Sequence, residues 1–183
     1  LPLTLLKLRG THHAAVIEMG MNHAGEIAYL TRLARPTVAV VNNAQRAHLA
    51  GLGTVAEVAR AKGEIFAGLG EHGVAVINAD DPHAGLWREL NRERRCVSFG
   101  FSSAAEVRGV WKPHGFGGEL ALATPQGDTA FPLPVLRYHV GLTATHAALR
   151  GGPTTLSLLA PAAGAEAGGA DLRLSWVDPA EAT

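Results

Sequence analysis

The amino-acid sequence predicts an α/β protein: a doubly wound, mainly parallel sheet followed by a small antiparallel β addition. Three observations lead there. Four short runs, 14–17, 37–41, 74–77 and 96–99, are apolar throughout rather than alternating, as strands buried on both faces require. Stretches of helical spacing near 25–34, 54–69 and 82–93 separate them, giving the β-α-β order of a parallel sheet. Beyond residue 100 the pattern shortens to 106–111, 119–123 and 129–133 between Gly-rich or polar turns, as in antiparallel strands.

The element boundaries carry local signals. Thr54 followed by Glu57 is a capping box that opens the second helix. Asp81 followed by Pro82 offers an N-cap with proline at the first helical position of the third. Gly68, Gly70 and Gly73 match the spacing of a dinucleotide-binding loop, but they close a helix and lead into a strand. The functional motif does the reverse, so a helix stop and turn is expected. Gly, Ala and Pro dominate from Gly151, and 160–170 reads as a linker. The organisation expected is therefore a domain over 1–150 and a tail over 151–183.

Composition excludes several classes. The 183 residues suffice for one hydrophobic core, and 47% of them are hydrophobic. Sixteen basic and sixteen acidic side chains cancel, so no general field attracts a nucleic acid or an anionic membrane. A lone Cys96 excludes an internal disulfide framework. No apolar run approaches the roughly 20 residues of a membrane span, and no signal peptide is evident, so a cytoplasmic location is expected. The chain starts with Leu1 rather than Met, which suggests a piece of something longer.

Three residues stand out chemically. Glu18 follows the run 14–17 at the expected carboxyl end of a parallel strand, where open α/β sheets place ligands; the alternative is an ordinary surface carboxylate. His48 follows the second run and reads either as a ligand or as a solvated loop histidine. Lys62 shares a helix face with Val58, Ile65, Phe66 and Leu69, whereas Arg60 and Glu64 fall outside that stripe. A buried ammonium must pair, lose its proton or be chemically altered. A neutral lysine amine can add carbon dioxide to form a carbamate, an anionic oxygen ligand for magnesium. The alternative is a stem lying along the apolar face with its charge in water.

These residues sit in recognisable surroundings. The stretch Glu18-Met19-Gly20-Met21-Asn22-His23-Ala24-Gly25-Glu26-Ile27, then Asn42-Asn43, Ala47-His48-Leu49, Gly51-Leu52-Gly53, Ala61-Lys62-Gly63-Glu64 and Asn78-Ala79-Asp80-Asp81, resembles the central domain of the Mur ligases. The resemblance covers about 1–100 closely and 101–150 loosely. It implies an ATP-dependent carboxylate–amine ligase of peptidoglycan precursor synthesis. ATP would phosphorylate a carboxylate of a UDP-N-acetylmuramoyl-tripeptide, and the amine of D-alanyl-D-alanine would attack the acyl phosphate. By the same resemblance, Glu18 would bind the magnesium of the ATP phosphates, and His48 with carbamylated Lys62 would hold a second magnesium. Metal neutralisation suits phosphoryl transfer between anions.

The family's phosphate-binding loop needs a Gly-Lys pair, yet the three lysines, Lys7, Lys62 and Lys112, never follow a glycine. The loop and the UDP-binding domain are therefore expected upstream. Residues 136–142 lie where the family has an adenine-holding motif, but both asparagine positions differ. A catalytically inactive remnant, a binding domain, or another amide ligase of the superfamily such as a folylpolyglutamate synthetase are the competing readings.

Overall fold

The structure, a computed structural model, describes residues 1–46, 49–114, 117–133, 157–158 and 174–175. It divides into two units, Leu1–Glu106 and Val107–Thr183.

In the first unit, apolar β-branched runs form the three parallel strands β1 (Val38–Val41), β2 (Val74–Asn78) and β3 (Cys96–Gly100). Val38 lies opposite Val74, and Ala75 opposite Cys96. The helices are α1 (Pro2–Leu5), α2 (Glu26–Ala34), α3 (Leu49–Leu52), α4 (Val55–Gly63) and α5 (Ala84–Leu90). The last turn of α4 tightens into a 3₁₀ segment, Glu64–Gly68. Thr54 and Glu57 make the expected capping box at the start of α4, with Thr54 Oγ1 accepting from the Glu57 N–H at 3.2 Å. A core of Ile27, Val58, Phe66, Ala75, Ile77 and Trp87 lies between helices and sheet.

Trp87 is fully buried, and its indole N–H donates to the Ala59 carbonyl at 2.9 Å, joining α5 to α4. Thr31 of α2, also fully buried, donates through Oγ1 to the Ile65 carbonyl at 2.8 Å. Gly68 permits this approach: a Cβ there would lie 2.6 Å from the Thr31 carbonyl oxygen. The three-glycine string thus ends a helix and leads into β2, as its context predicts.

Glu64 behaves differently from the exposed charge expected outside the apolar stripe. It is half-buried, and its carboxylate accepts from the Gly25 N–H at 2.8 Å and the Ala28 N–H at 3.1 Å. The residue preceding α2 is Gly25, which has no side chain to cap with, so a carboxylate from a distant helix satisfies its orphan donors and its positive end.

Two expectations need correction. The run 14–17 forms no strand. Ala14 and Ala15 are exposed, Val16 is 71% exposed, and the run has no ladder partner among the described residues. Apolar β-branched sequence does not make a strand unless a neighbour receives its backbone bonds. The third helix also starts later and ends sooner than 82–93. His83 occupies its cap, and Asp81 is drawn elsewhere.

The second unit contains the antiparallel addition, β4 (Val107–His114), β5 (Gly117–Thr124) and β6 (Gly127–Leu133), in sequential hairpin order. Burial alternates along β4, with Val107 and Gly109 inside and Arg108 and Val110 outside. Of the expected tail, 157–158 and 174–175 are described, as a short antiparallel pair, β7 and β8. The expected linker 160–170 and the motif region 136–142 lie outside the described residues. Among the described residues no helix is long and apolar enough to cross a membrane.

Glu64→Ala is expected to lower the unfolding free energy by about 1–2 kcal/mol, the scale of a lost N-terminal cap. Urea denaturation measures this, and Glu64→Gln, which retains one acceptor oxygen, should lose less.

Candidate functional site

Parallel strands deliver their loops to one carboxyl edge, and the residues following β1, β2 and β3 are laced together there. The lacing starts from the end of β2 and the turn that follows it. Asn78 accepts the Asp80 N–H through Oδ1 at 2.9 Å, which leaves its amide nitrogen to donate to the Asn42 carbonyl at 2.8 Å. Asp81, whose side chain is 4% exposed, accepts the Ala44 N–H at 2.7 Å through one oxygen and the His83 N–H at 2.8 Å through the other. Asp80 reaches the opposite way, accepting from the Phe101 N–H at 2.6 Å and the Ser102 N–H at 3.0 Å beyond β3. Adjacent carboxylates thus tie the loops on either side of β2.

Lys62 enters from α4. Its Nζ donates to the Asn43 carbonyl at 2.8 Å, with Asn43 Oδ1 at 3.4 Å. The amine is therefore held by protein at the carboxyl edge, in place of the water expected for a stem lying along the apolar face. Burial pulls the Lys62 amine below the ordinary lysine range, while the negative charge of Asp81 opposes that shift.

Glu18 is exposed, in the irregular segment that continues from 14–17, so it does not end a strand as expected. Met19 and Met21, on either side of Gly20, anchor that segment to the core. The turn that follows is fastened by Glu26, which accepts from the Asn22 N–H at 2.7 Å and pairs with the His23 ring at 3.0 Å. These bonds, that from Asn22 foremost, hold the Glu26 carboxyl below the usual carboxylate range. A Cβ on Gly51 of α3 would strike the Asn22 carbonyl, so this turn and α3 lie in direct backbone contact. His48 lies outside the described residues.

The described residues do not themselves complete a divalent-cation site: no three His, Cys, Asp or Glu side chains gather among them to hold a metal, and Lys62 as an amine donates rather than ligates. They include no Gly-Lys phosphate loop for a nucleotide. Cys96 is half-buried, and burial pushes its thiol up, which makes it a poor nucleophile. A concavity of about 560 Å³ lies at the opposite, amino edge, lined by His72, Arg92, Arg94 and Arg95 among others. Its arginines already have partners: Arg92 pairs with Glu89, Arg94 donates to the Phe66 carbonyl, and Arg95 approaches Glu106.

Sequence reasoning gave no ligand-edge role to Asn43, Asn78, Asp80 or Asp81. The available signal is the pair Asp80–Asp81 just beyond a buried strand, where the Asp81–Pro82 step by itself predicts only a helix cap.

A parallel α/β sheet with a polar carboxyl edge and an antiparallel extension is the architecture of a known group. Residues 1–147 match the Mur ligase middle domain, and the chain belongs to the Mur ligase family. More particularly, it is 44% identical over 137 residues to the UDP-N-acetylmuramoyl-tripeptide–D-alanyl-D-alanine ligase of Escherichia coli strain K12, a match covering 73% of this chain and 30% of that protein. A crystal structure of MurF from Acinetobacter baumannii superposes with a TM-score of 0.75 at 27% identity, over 88% of this chain and 40% of that one. The MurF ligase of Thermotoga maritima, solved in complex with ADP, superposes with a TM-score of 0.59 at 25% identity, over 70% of this chain and 30% of that one. The chain therefore spans less than a third of the length of its E. coli relative.

Because its folded-state acidity is raised, ionised Glu26 contributes stability that is present above the ordinary carboxylate range and lost as pH falls through its folded pKa. The melting-temperature advantage of the native chain over Glu26→Gln should accordingly be full near neutrality and shrink below about pH 4. A constant difference across pH 3–7, measured by circular dichroism, would contradict this.

Proposed function

We propose that this chain is the middle-domain part of an ATP-dependent ligase that joins D-alanyl-D-alanine to a UDP-N-acetylmuramoyl-tripeptide. The observation that carries the reading is the 44% identity over 137 residues to the E. coli ligase of that name. The Glu18–Ile27 motif and the fold shared with MurF support it. The ADP complex of the T. maritima relative supports ATP as the phosphoryl donor.

Within that reading Lys62 is the residue whose chemistry matters most. Its partly desolvated amine keeps a larger uncharged fraction than an exposed lysine, and the uncharged form is the one that adds carbon dioxide. Glu18 and His48 belong to the same proposal as magnesium ligands. Glu18 is exposed and free to take a cation, and the contact of Gly51 with Asn22 links the segments that follow Glu18 and His48. When bound, magnesium would neutralise phosphate charge; the contribution of this chain is to hold Lys62 at the edge where the sheet opens.

The test is a chimera in which residues 1–147 replace the matching middle-domain segment of the E. coli ligase, which supplies the rest of the enzyme. Phosphate release that requires both tripeptide and D-alanyl-D-alanine is expected from the chimera and not from the 183-residue chain alone. A folded chimera that hydrolyses nothing, or whose turnover ignores D-alanyl-D-alanine, would overturn the reading in favour of a non-catalytic binding domain or another amide ligase.

Within an active chimera, Lys62→Ala should abolish turnover, and short-chain carboxylates should partly restore it by replacing the missing oxygen ligand. Lys62→Arg should stay inactive in the same assay, because it retains a positive charge where an anion is required.

A further inference from the structure

Asn43 is the only residue to which the Lys62 amine is hydrogen-bonded among the described residues, and what holds Asn43 is visible. Its own side chain does little, with Oδ1 at 3.4 Å from Nζ; the short bond, 2.8 Å, is to its backbone carbonyl. The position of Lys62 therefore depends on the path of the backbone through residues 42–44. That path is pinned on both sides. Before Asn43, the Asn42 carbonyl receives the Asn78 amide; after it, the Ala44 N–H is received by buried Asp81. The pins come from the last residue of β2 and from the turn that follows it, three positions apart in sequence.

We propose that Asn78 and Asp81 are positioning residues for Lys62, acting through the bracketed Asn43 peptide rather than by touching a substrate. The inference deepens the ligase reading and rests on it for its catalytic meaning, but the bracket itself does not depend on activity. The chemistry of each pin is specific. The Oδ1 of Asn78 is committed to the Asp80 N–H, so the group facing Asn42 must be the donor, and aspartate or leucine cannot replace it. The two oxygens of Asp81 serve two backbone donors, which asparagine, with one oxygen, cannot both satisfy. Asp81 also places a negative charge near the amine without forming a direct ion pair, so Nζ stays directed at the carbonyl.

The bracket suits the carbamate as well as the amine. Addition of carbon dioxide to neutral Nζ forms one N–C bond, and one amine proton is lost to solvent as the carbamate ionises. A single N–H remains on Nζ. The Asn43 carbonyl is the acceptor positioned to receive it, which would set the plane of the carbamate and the direction of its oxygens.

The experiment reads Lys62 directly in the full 183-residue chain. With lysine labelled at ¹³Cε, the three lysines give three signals, and Lys62→Arg assigns the one of interest. In the native chain the Lys62 methylene should be ordered, with two inequivalent Hε protons, whereas that of exposed Lys7 should be averaged. Asn78→Ala should remove that inequivalence and bring the Lys62 relaxation to the level of Lys7. Asp81→Asn is read in the same way, so a failure of one variant to fold leaves the other to decide.

A lowered melting temperature with an unchanged Lys62 signal in the folded variant would assign Asn78 and Asp81 to stability alone and overturn the proposal. In an active chimera, Asn78→Ala should lower kcat by about 100-fold, the scale of a misplacement near 1 Å, with KM for D-alanyl-D-alanine unchanged. Absence of turnover in the unsubstituted chimera would count against the ligase reading, while the Lys62 signal would still test the bracket.

Discussion

A carboxylate cannot be buried beside a hydrophobic sheet unless donors surround it, and Asp81 meets that requirement with backbone N–H groups from its own turn and from the loop after β1. Hydrogen bonds to a charged acceptor are worth about 1.5–3 kcal/mol each, against about 1 kcal/mol for neutral pairs. The Ala44 bond spans 37 residues of sequence and fixes a loop that no ladder reaches. Asp80 performs the same service toward Phe101 and Ser102, so the turn after β2 controls the carboxyl edge on both sides. A Cβ on Gly100 would lie 2.7 Å from the Asp80 carboxylate, which is why the strand ends in glycine there.

Helix α4 is the element through which this edge communicates with the rest of the first unit. Trp87 fastens it to α5 through the Ala59 carbonyl, and the 3₁₀ turn at its end is fastened to α2 through Thr31 and Glu64. A helix held at its middle and end has little freedom to rotate, so the direction in which Lys62 leaves it is set by packing. The close approach at Gly63, where a Cβ would sit 2.8 Å from Leu90 Cδ1, belongs to the same constraint. Lys62 is half-buried at this position, and its amine meets the Asn43 carbonyl.

The proposed ligase reading gives this arrangement its meaning. Enzymes that move a phosphoryl group gain most from fixed charge and alignment rather than from a single acid or base. On that reading, the features that suit Lys62 to chemistry are its place at the open edge of the sheet, its depressed basicity and its fixed acceptor. The amino edge shows the contrast: its arginines are engaged with carboxylates and a backbone carbonyl, which leaves them as structural ties.

Local pattern alone determined where β1, β2 and β3 run, that α4 begins at a Thr54–Glu57 box, and that an antiparallel meander follows. Apolar runs, helical spacing and caps depend on neighbours a few residues apart. The same pattern misread 14–17, since a strand exists only when another strand accepts its backbone bonds. It also misread Asp81, because a capping signal says nothing of a stronger claim by the Ala44 N–H across 37 residues. The apolar stripe singled out Lys62 and placed it on the inner face of its helix, and motif resemblance then joined it to Glu18 and His48. Which atom receives its amine, which carboxylate caps α2, and which turn ties the edge together were decided by tertiary structure alone, because each joins groups that only folding brings within hydrogen-bond reach.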